Sequence, residues 1–245
     1  MRFPEYHLSR TVCQAGLGAL RPLFATARAD DPDGWNYCSG WPPSYRAYGR
    51  MRALLTLLTA RSLRPRRVLE VAAGDAALCA TLLPGNMLAV DPARVGRFDL
   101  IVAGEVLEHV AHPVALLRHL KNLLTADGRI LITTPNGAYF RNRLPTCAQI
   151  KDFTQLEAQQ FKPDADGQLF LVTPAELRQI AAAAGLRLAQ IELWGTPVMT
   201  GRGGLRVCSG RVVARACFTL ERFAQRWPAC AKTKLCYALF ATLSN

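Results

Sequence analysis

Four side chains that can hold or move a proton follow one short hydrophobic run of the sequence. The run is Phe98–Ala103, and Glu105, Glu108, His109 and His112 come after it. Histidine exchanges a proton near neutral pH, so this cluster fits a general base for a hydroxyl group. On a continuous helix Glu105, His109 and His112 would share one face. We predict His109 and Glu105 as catalytic residues.

Two other interpretations of the same cluster stay open. In the first, His109 hydrogen-bonds a backbone group and orders the loop, a structural role that fits the sequence equally well. In the second, Glu105, His109 and His112 ligate a metal from one helix face, but the sequence offers no further ligand for such a site. We therefore predict no metal.

A second group of residues has the composition of a nucleotide-binding turn. The segment Glu70–Ala76 is rich in small residues, which lets a ligand approach the backbone closely. Asp91 stands twenty-one positions after Glu70, where a carboxylate can accept hydrogen bonds from both ribose hydroxyls. The segment lacks the G-x-G-x-x-G spacing of dinucleotide-binding proteins, which argues against a pyrophosphate site.

Hydrophobic patterning predicts alternating strands and helices from residue 66 onward. The predicted strands are Val68–Val71, Met87–Val90, Phe98–Ala103, Arg129–Thr133 and Leu186–Trp194, and the predicted helices are Ala76–Leu83, Val106–Leu124 and Thr173–Ala184. Thr173 and Glu176 form a capping box, with Pro174 in the first turn. Such alternation is typical of an α/β protein with a parallel sheet and right-handed crossovers.

The segments outside this pattern complete the predicted domain organisation. Residues 1–63 form a helical and aromatic cap, residues 64–196 the core, and residues 197–245 a basic segment that completes or extends the core. A final strand or short helix is predicted over Lys234–Thr242. Residues 137–172 are irregular, and a loop of this length in a compact domain suggests an active-site cover.

The motifs VLEVAAGDA, LAVDP, FDLIVAGEVLEHV and LLRHLKNLLTADGRILITTPN together resemble a known family. They are similar to class I S-adenosylmethionine-dependent methyltransferases of the small-molecule branch that includes the ubiquinone-biosynthesis O-methyltransferases. The resemblance covers residues 66–136 closely and 173–194 loosely. It implies a Rossmann-like methyltransferase sheet, S-adenosylmethionine as cofactor and direct methyl transfer.

The resemblance also implies a set of cofactor-binding residues. These are Glu70, Ala72, Gly74, Asp91, Ala103 and Gly104. Ala72 and Ala76 stand where the family usually has glycine, whereas Gly74 keeps it. Only the six residues 92–97 separate Asp91 from the next strand, too few for the additional helix and strand of the family. We therefore expect a sheet shortened on the Asp91 side and cannot assign the adenine contact.

Charge is unevenly distributed along the 245 residues. Thirty basic and 18 acidic side chains give a net charge of +12, and residues 1–67 and 201–245 carry +7 each around a centre of −2. The basic segments fit an anionic surface or acceptor, or a solvated arginine-rich surface. We expect a small-molecule or lipid-linked acceptor, of anionic character, and peripheral membrane contact. Nucleic acid is disfavoured as a partner, and the oligomeric state is left open.

Cysteine usage and hydropathy predict where the protein works. The eight cysteines lack the pair spacing of a zinc site, which favours free thiols in a reducing compartment. The apolar run Leu235–Leu243 is about half as long as a membrane span, so no transmembrane helix is expected. We predict a cytoplasmic protein that works at the inner membrane face.

Three functions are consistent with these features. The first is methyl transfer from S-adenosylmethionine to an oxygen of a small-molecule, saccharide or lipid-linked acceptor. The second is a non-catalytic methyltransferase-like binding or regulatory module, favoured by Ala72, Ala76 and the short segment 92–97. The third is a nucleic-acid methyltransferase, ranked last because residues 104–107 lack the Asn/Asp-Pro-Pro-aromatic motif of the base-amino enzymes.

Overall fold

A computed structural model describes residues 62–71, 82–83, 92–157, 168–197, 221 and 223–245. Its strands are β1 Val68–Val71, β2 Leu82–Leu83, β3 Phe98–Gly104, β4 Leu124–Pro135, β5 Arg187–Trp194 and β6 Ala238–Ser244. Its helices are α1 Pro92–Val95, α2 Pro113–Asn122, α3 Thr154–Glu157, α4 Pro174–Ala183 and α5 Ala229–Leu235. Two 3₁₀ turns cover Leu107–His109 and Cys147–Gln149.

The strands form one mixed sheet with the order β2-β1-β3-β4-β6-β5. Strands β1 to β4 pair in parallel, and β6 runs antiparallel between β4 and β5. The predicted α/β class with a Rossmann-like sheet is confirmed, and strands β1 to β4 are parallel as predicted, whereas β6 is antiparallel. Strand β6 is antiparallel because α5, the helix before it, brings the chain to the carboxyl end of β4. Strand β6 starts there, with Ala238 opposite Pro135, and runs back along β4.

The chain crosses over β1 between its second and third strands. Because β2 and β3 lie on opposite sides of β1, the strand order reverses there. The connection from α1 to β3 is short and passes through Gly96, whose φ of 76° is strained for other residues. Residues 92–97 hold a single helical turn and no strand, and β2 is the outermost strand on this side in the described ranges.

A continuous apolar core lies between the sheet and the helices α2 and α4. Leu117 and Leu120 of α2 and Leu177 of α4 are fully buried together with Ile101 and Ile130 of the sheet. Each such side chain contributes roughly 1.5–3 kcal/mol relative to exposure. The core therefore holds β3 and β4 in a fixed register, and these strands carry the loops described below.

Helix α4 begins and ends where the sequence predicts. The Thr173 hydroxyl accepts a hydrogen bond from the Glu176 amide at 3.2 Å, and a Glu176 carboxylate oxygen accepts one from the Thr173 amide at 2.7 Å. Pro174 occupies the first turn, and Gly185 follows the C-cap with a φ of 74°. The predicted capping box is thus confirmed. The predicted strand Leu186–Trp194 is also confirmed, as β5, which begins one residue later.

The predicted helix Val106–Leu124 is wrong as a single element. A 3₁₀ turn ends at His109, Val110 is extended with φ −109° and ψ 131°, and α2 begins only at Pro113. Proline disfavours helical geometry in the residue before it, which separates the two elements. Glu105, His109 and His112 therefore do not share a helix face, and β4 starts at Leu124, earlier than predicted.

The predictions for residues 82–83 and for Lys234–Thr242 can also be compared with the structure. Residues 82–83, predicted to end a helix, form β2 beside Glu70 and Val71. Their pairing with β1 is a long-range contact that local periodicity does not reveal. The Lys234–Thr242 segment holds the end of α5 and most of β6, with the break at Cys236. The predicted strand Met87–Val90 and the N-terminal cap lie outside the described residues.

Candidate functional site at the carboxyl edge of the sheet

The carboxyl ends of β1 and β3 lie side by side at the point where the strand order reverses. Val71 pairs with Ala103, and Glu70 pairs with Val102. Ligands of open α/β sheets bind outside such a switch point, in the crevice between the two strand ends. Of the predicted cofactor residues, the structure thus brings together Glu70, Ala103 and Gly104. Ala72, Gly74 and Asp91 lie outside the described residues.

The chain turns sharply as it leaves β3. Glu105 has a φ of 55°, in the left-handed region that side chains rarely adopt, and its amide donates to the Thr133 carbonyl at 2.8 Å. Such a conformation costs of order 1–3 kcal/mol and persists where surrounding structure enforces it. Backbone strain of this kind concentrates at functional sites, so it supports a working role for the Gly104–Glu105 turn.

The buried carboxylate of Glu108 lies directly after this turn. It is fully buried, and one of its oxygens accepts a hydrogen bond from the Thr134 hydroxyl of β4 at 2.9 Å. Its main-chain oxygen accepts one from the Leu169 amide at 2.8 Å. The other carboxylate oxygen lies 3.9 Å from Nε2 of His109. The Glu108 carboxylate therefore lies between the Thr134 hydroxyl of β4 and the partly exposed imidazole of His109.

His112 belongs to a different contact from His109. Its Nε2 lies 2.6 Å from a carboxylate oxygen of Glu157 in α3, and both side chains are largely exposed. Its ring also lies near Phe153, with centroids 6.4 Å apart. His112 therefore ties α3 to the start of α2 at the surface. Sequence spacing grouped His112 with His109, whereas its partner comes from a distant segment.

Asn136 is a structural residue at this edge that the sequence analysis did not identify. Its buried amide donates to the carbonyls of Thr233 and Cys236, each at 2.8 Å, and its side-chain oxygen accepts from the Ala138 amide at 3.0 Å. Asn142 also donates to the Asn136 carbonyl. The motif TPN at the end of β4 was the available signal. Its asparagine fastens the C-terminal segment to the exit of β4.

Glu176 joins the loop after β4 to helix α4. Its second carboxylate oxygen accepts a hydrogen bond from the Ala148 amide at 2.7 Å. Burial opposes ionisation, but hydrogen bonds from Thr146, Thr173 and Ala148 outweigh it and lower the pKa of this carboxyl. The charged form of Glu176 therefore stabilises the fold. It also fixes the Cys147–Gln149 turn against the helix start.

Like Glu176, Glu221 joins two segments by hydrogen bonds to its carboxylate, in this case at the residues that follow β5. Its carboxylate is buried and accepts hydrogen bonds from the Gly195 amide at 2.8 Å and from the Thr196 hydroxyl at 2.9 Å. Burial raises the pKa of Glu221, and these hydrogen bonds oppose the shift only in part. Sequence patterning gave no signal for it, because its partners lie about 25 residues away along the chain.

The structure offers no cysteine or metal chemistry among the residues it describes. Cys147, Cys230 and Cys236 are free, and burial raises the pKa of Cys147 to about 11 and that of Cys236 to about 12. These two thiols stay protonated near neutral pH and are unreactive. Across the described ranges, no three His, Cys, Asp or Glu side chains are placed to hold a metal ion. No described helix is long and apolar enough to cross a bilayer.

Comparison with solved structures gives several distant resemblances in shape. The CcbJ methyltransferase from Streptomyces caelestis is 15% identical, with a TM-score of 0.49 over 84% of this chain and 99% of that one. The magnesium protoporphyrin IX methyltransferase ChlM from Synechocystis PCC 6803, solved with bound SAH, is 12% identical, with a TM-score of 0.42 over 91% of each chain.

Comparison with known sequences gives shorter but closer matches. The ubiquinone biosynthesis O-methyltransferase of Aeromonas salmonicida (strain A449) is 34% identical over 90 residues, which are 37% of this chain and 36% of that protein. The enzyme of that name from Glaesserella parasuis serovar 5 (strain SH0165) is 48% identical over 40 residues, 16% of this chain and 17% of that protein. The match thus spans about a third or less of these relatives. Residues 44–191, more than half of the chain, match the family described as "Methyltransferase domain", and the chain belongs to that family.

Proposed function

We propose that this protein transfers a methyl group from S-adenosylmethionine to an oxygen atom of a small-molecule, saccharide or lipid-linked acceptor. The observation that carries the proposal is the switch point between β1 and β3, where Glu70 pairs with Val102 two residues before Gly104 and the turn that leads to His109. Family membership supplies the reaction class, and the two O-methyltransferase relatives support oxygen as the acceptor atom.

The described part of the edge suits this cofactor in its chemistry. Glu70 is a largely buried carboxylate at the end of β1, and a carboxylate in such a place accepts hydrogen bonds from ammonium and hydroxyl groups. Ala103 and Gly104 end β3 with minimal side chains, so these side chains would offer little steric hindrance to a ligand at the strand end. Glu70, Ala103 and Gly104 would hold the cofactor together with Ala72, Gly74 and Asp91.

When bound, S-adenosylmethionine supplies an electrophilic methyl group on a sulfonium. The protein's own work is to position an acceptor hydroxyl in line and to exclude water. His109 would accept the hydroxyl proton at a ring nitrogen as the carbon–oxygen bond forms and the methyl carbon–sulfur bond of the sulfonium breaks, with the thioether as leaving group. Glu108 orients the imidazole and stabilises its protonated form, and the Thr134 hydroxyl fixes Glu108. Along the chain, Glu105 stands at the strained turn between Gly104 and His109.

A non-catalytic methyltransferase-like module is the second candidate. Ala72 and Ala76, where the family usually has glycine, favour it because added methyl groups narrow the approach to the cofactor. Nucleic-acid methylation ranks third, since Gly104-Glu105-Val106-Leu107 replaces the motif of the base-amino enzymes. We propose the cytoplasmic face of the inner membrane as the place of action, because a lipid-linked acceptor and the basic segments both fit it.

Calorimetric titration separates these candidates when it is combined with a transfer assay. The purified full chain is titrated with S-adenosylmethionine and with S-adenosylhomocysteine, and then incubated with methyl-labelled donor and separate lipid, polar and nucleic-acid extracts. The proposal predicts binding of both compounds and label in the lipid or polar extract. Binding without transfer to any extract would favour the non-catalytic module, and absence of binding would contradict both.

A further inference from the structure

Two exposed aromatic rings lie at the same edge of the sheet as the candidate site. Phe140 follows the end of β4 and is 54% exposed, and Phe223 precedes α5 and is 60% exposed. Leu144, in the same loop as Phe140, is 42% exposed. β4 ends at this edge and the antiparallel β6 begins there, so both segments emerge on the side of Glu70 and Gly104.

Contacts between the two segments make them one surface. The Phe140 amide donates to the Lys234 carbonyl at 3.0 Å, and the Tyr139 ring meets the Tyr237 ring edge-on with centroids 5.8 Å apart. The Asn136 side chain holds the Thr233 and Cys236 carbonyls in the same place. The loop after β4 and helix α5 therefore present their exposed groups together.

The charge of this surface has one sign. Each exposed ring carries a guanidinium close by: Arg141 lies 5.3 Å from the Phe140 centroid, and Arg226 lies 5.9 Å from the Phe223 centroid. The remaining basic side chains of residues 137–145 and 223–235 are Arg143, Lys232 and Lys234. These two ranges contain no Asp or Glu. Apolar rings among cations, without acidic groups, match the headgroup region of an anionic bilayer.

We propose that the loop 137–145 and the segment 223–235 form a docking surface for anionic lipid bilayers. The rings of Phe140 and Phe223 enter the interface, and the surrounding cations pair with lipid phosphates. Nucleic acid would satisfy the cations and would stack its bases on the phenyl rings, but it would leave the exposed Leu144 side chain without an apolar environment. Docking would bring the candidate site against the membrane, and only this last consequence depends on the proposed function.

Vesicle sedimentation of the full chain tests the proposal with matched variants. The probes are phosphatidylglycerol–phosphatidylcholine vesicles and vesicles of phosphatidylcholine alone. Arg141→Gln/Arg143→Gln should weaken partitioning to anionic vesicles about 30-fold, since each cation near such a surface contributes about fivefold. Its control, Arg178→Gln/Arg187→Gln, removes the same charge from α4 and the opposite edge of the sheet and should bind like wild type.

A second pair of variants tests the apolar part. Phe140→Ser/Phe223→Ser should weaken partitioning about tenfold or more because binding scales with inserted apolar area. Its control is Leu63→Ser, at a residue that is 38% exposed ahead of β1. Circular dichroism and S-adenosylmethionine titration of every variant confirm that the fold and the cofactor site are intact, so failure of docking is distinguished from failure of the proposed function.

Two results would overturn the proposal. One is equal recovery of wild type with anionic and neutral vesicles, which would exclude the surface as a lipid site. The other is loss of binding in the arginine variant together with unchanged binding in the phenylalanine variant. That pattern would mean attraction of any polyanion, and parallel binding to single-stranded RNA would then identify nucleic acid as the alternative partner.

Discussion

His109 is the residue whose proposed role depends most on its neighbours. His109→Ala should lower turnover by about 10²–10⁴ because the general base is lost, while S-adenosylmethionine affinity stays close to that of wild type. Steady-state kinetics and calorimetry measure the two effects separately. His112→Ala is the control, since His112 pairs with Glu157 at the surface, and it should keep near-normal turnover. Normal turnover of His109→Ala would assign His109 to structure alone.

Glu108 acts through His109 in this account and not on the acceptor itself. Glu108→Gln should lower turnover and leave S-adenosylmethionine affinity close to that of wild type, because the carboxylate 3.9 Å from the imidazole positions the proposed base and does not contact the cofactor. Thr134→Val should produce a smaller change of the same kind through the lost hydrogen bond at 2.9 Å. If Glu108 were purely structural, Glu108→Gln would lower the free energy of unfolding and would reduce turnover and cofactor affinity together.

Asp91 is the residue that the resemblance assigns to the ribose. Asp91→Ala should weaken S-adenosylmethionine binding by roughly 1.5–3 kcal/mol through loss of charge-assisted hydrogen bonds. Titration calorimetry measures the change, and Asp127→Ala, at an exposed carboxylate of β4, should leave the affinity unchanged. Equal affinity of Asp91→Ala and wild type would remove Asp91 from the site.

At the scale of elements, Glu176 links acid stability to the loop after β4. Its pKa is lowered in the folded state, so its stabilising effect is present above the ordinary value of 4.5 and is lost as pH falls through the folded pKa. Glu176→Gln should lower the free energy of unfolding by about 1–2 kcal/mol at pH 7 and by much less at pH 3. Urea unfolding at both pH values, with Asp127→Asn alongside, tests this. An equal loss at both pH values would contradict it.

The elements that sequence predicted are those determined locally. The buried run 68–71 is strand β1 with the predicted bounds, and Thr173 and Glu176 cap α4 as predicted. The single helix predicted over Val106–Leu124 is wrong because Pro113 separates the 3₁₀ turn from α2, which hydrophobic periodicity alone does not reveal. Local periodicity could not reveal β2, since two residues form a strand only through pairing with β1.

The candidate site was predictable in its chemistry and only partly in its geometry. Glu105 and His109 follow the end of β3 as the sequence predicts, and their catalytic role stays a prediction. The connection of Glu108 to Thr134 was not predictable, since it joins residues 26 positions apart and depends on the pairing of β3 with β4. The same limitation hid Asn136, whose partners lie about 100 positions away.

At the scale of the whole molecule, the C-terminal strand holds the sheet together. All seven residues of β6 are buried between β4 and β5, and Asn136 fastens the approach to it. Asn136→Ala should lower the free energy of unfolding by about 2–3 kcal/mol, because the buried carbonyl of Cys236 and the partly buried carbonyl of Thr233 lose their donor. Asn245→Ala, at an exposed terminus, is the control for urea unfolding. A decrease in the free energy of unfolding below about 0.5 kcal/mol would show that the Asn136 hydrogen bonds do not stabilise the fold.

The most direct test of the account is transfer of labelled methyl from S-adenosylmethionine to a hydroxyl-bearing acceptor in a lipid or polar extract. The account predicts label in an extract component with wild type, at least 100-fold less with His109→Ala, and unchanged transfer with His112→Ala, as expected for loss of a general base alone. Tight binding of S-adenosylmethionine by wild type without transfer to any extract would contradict it.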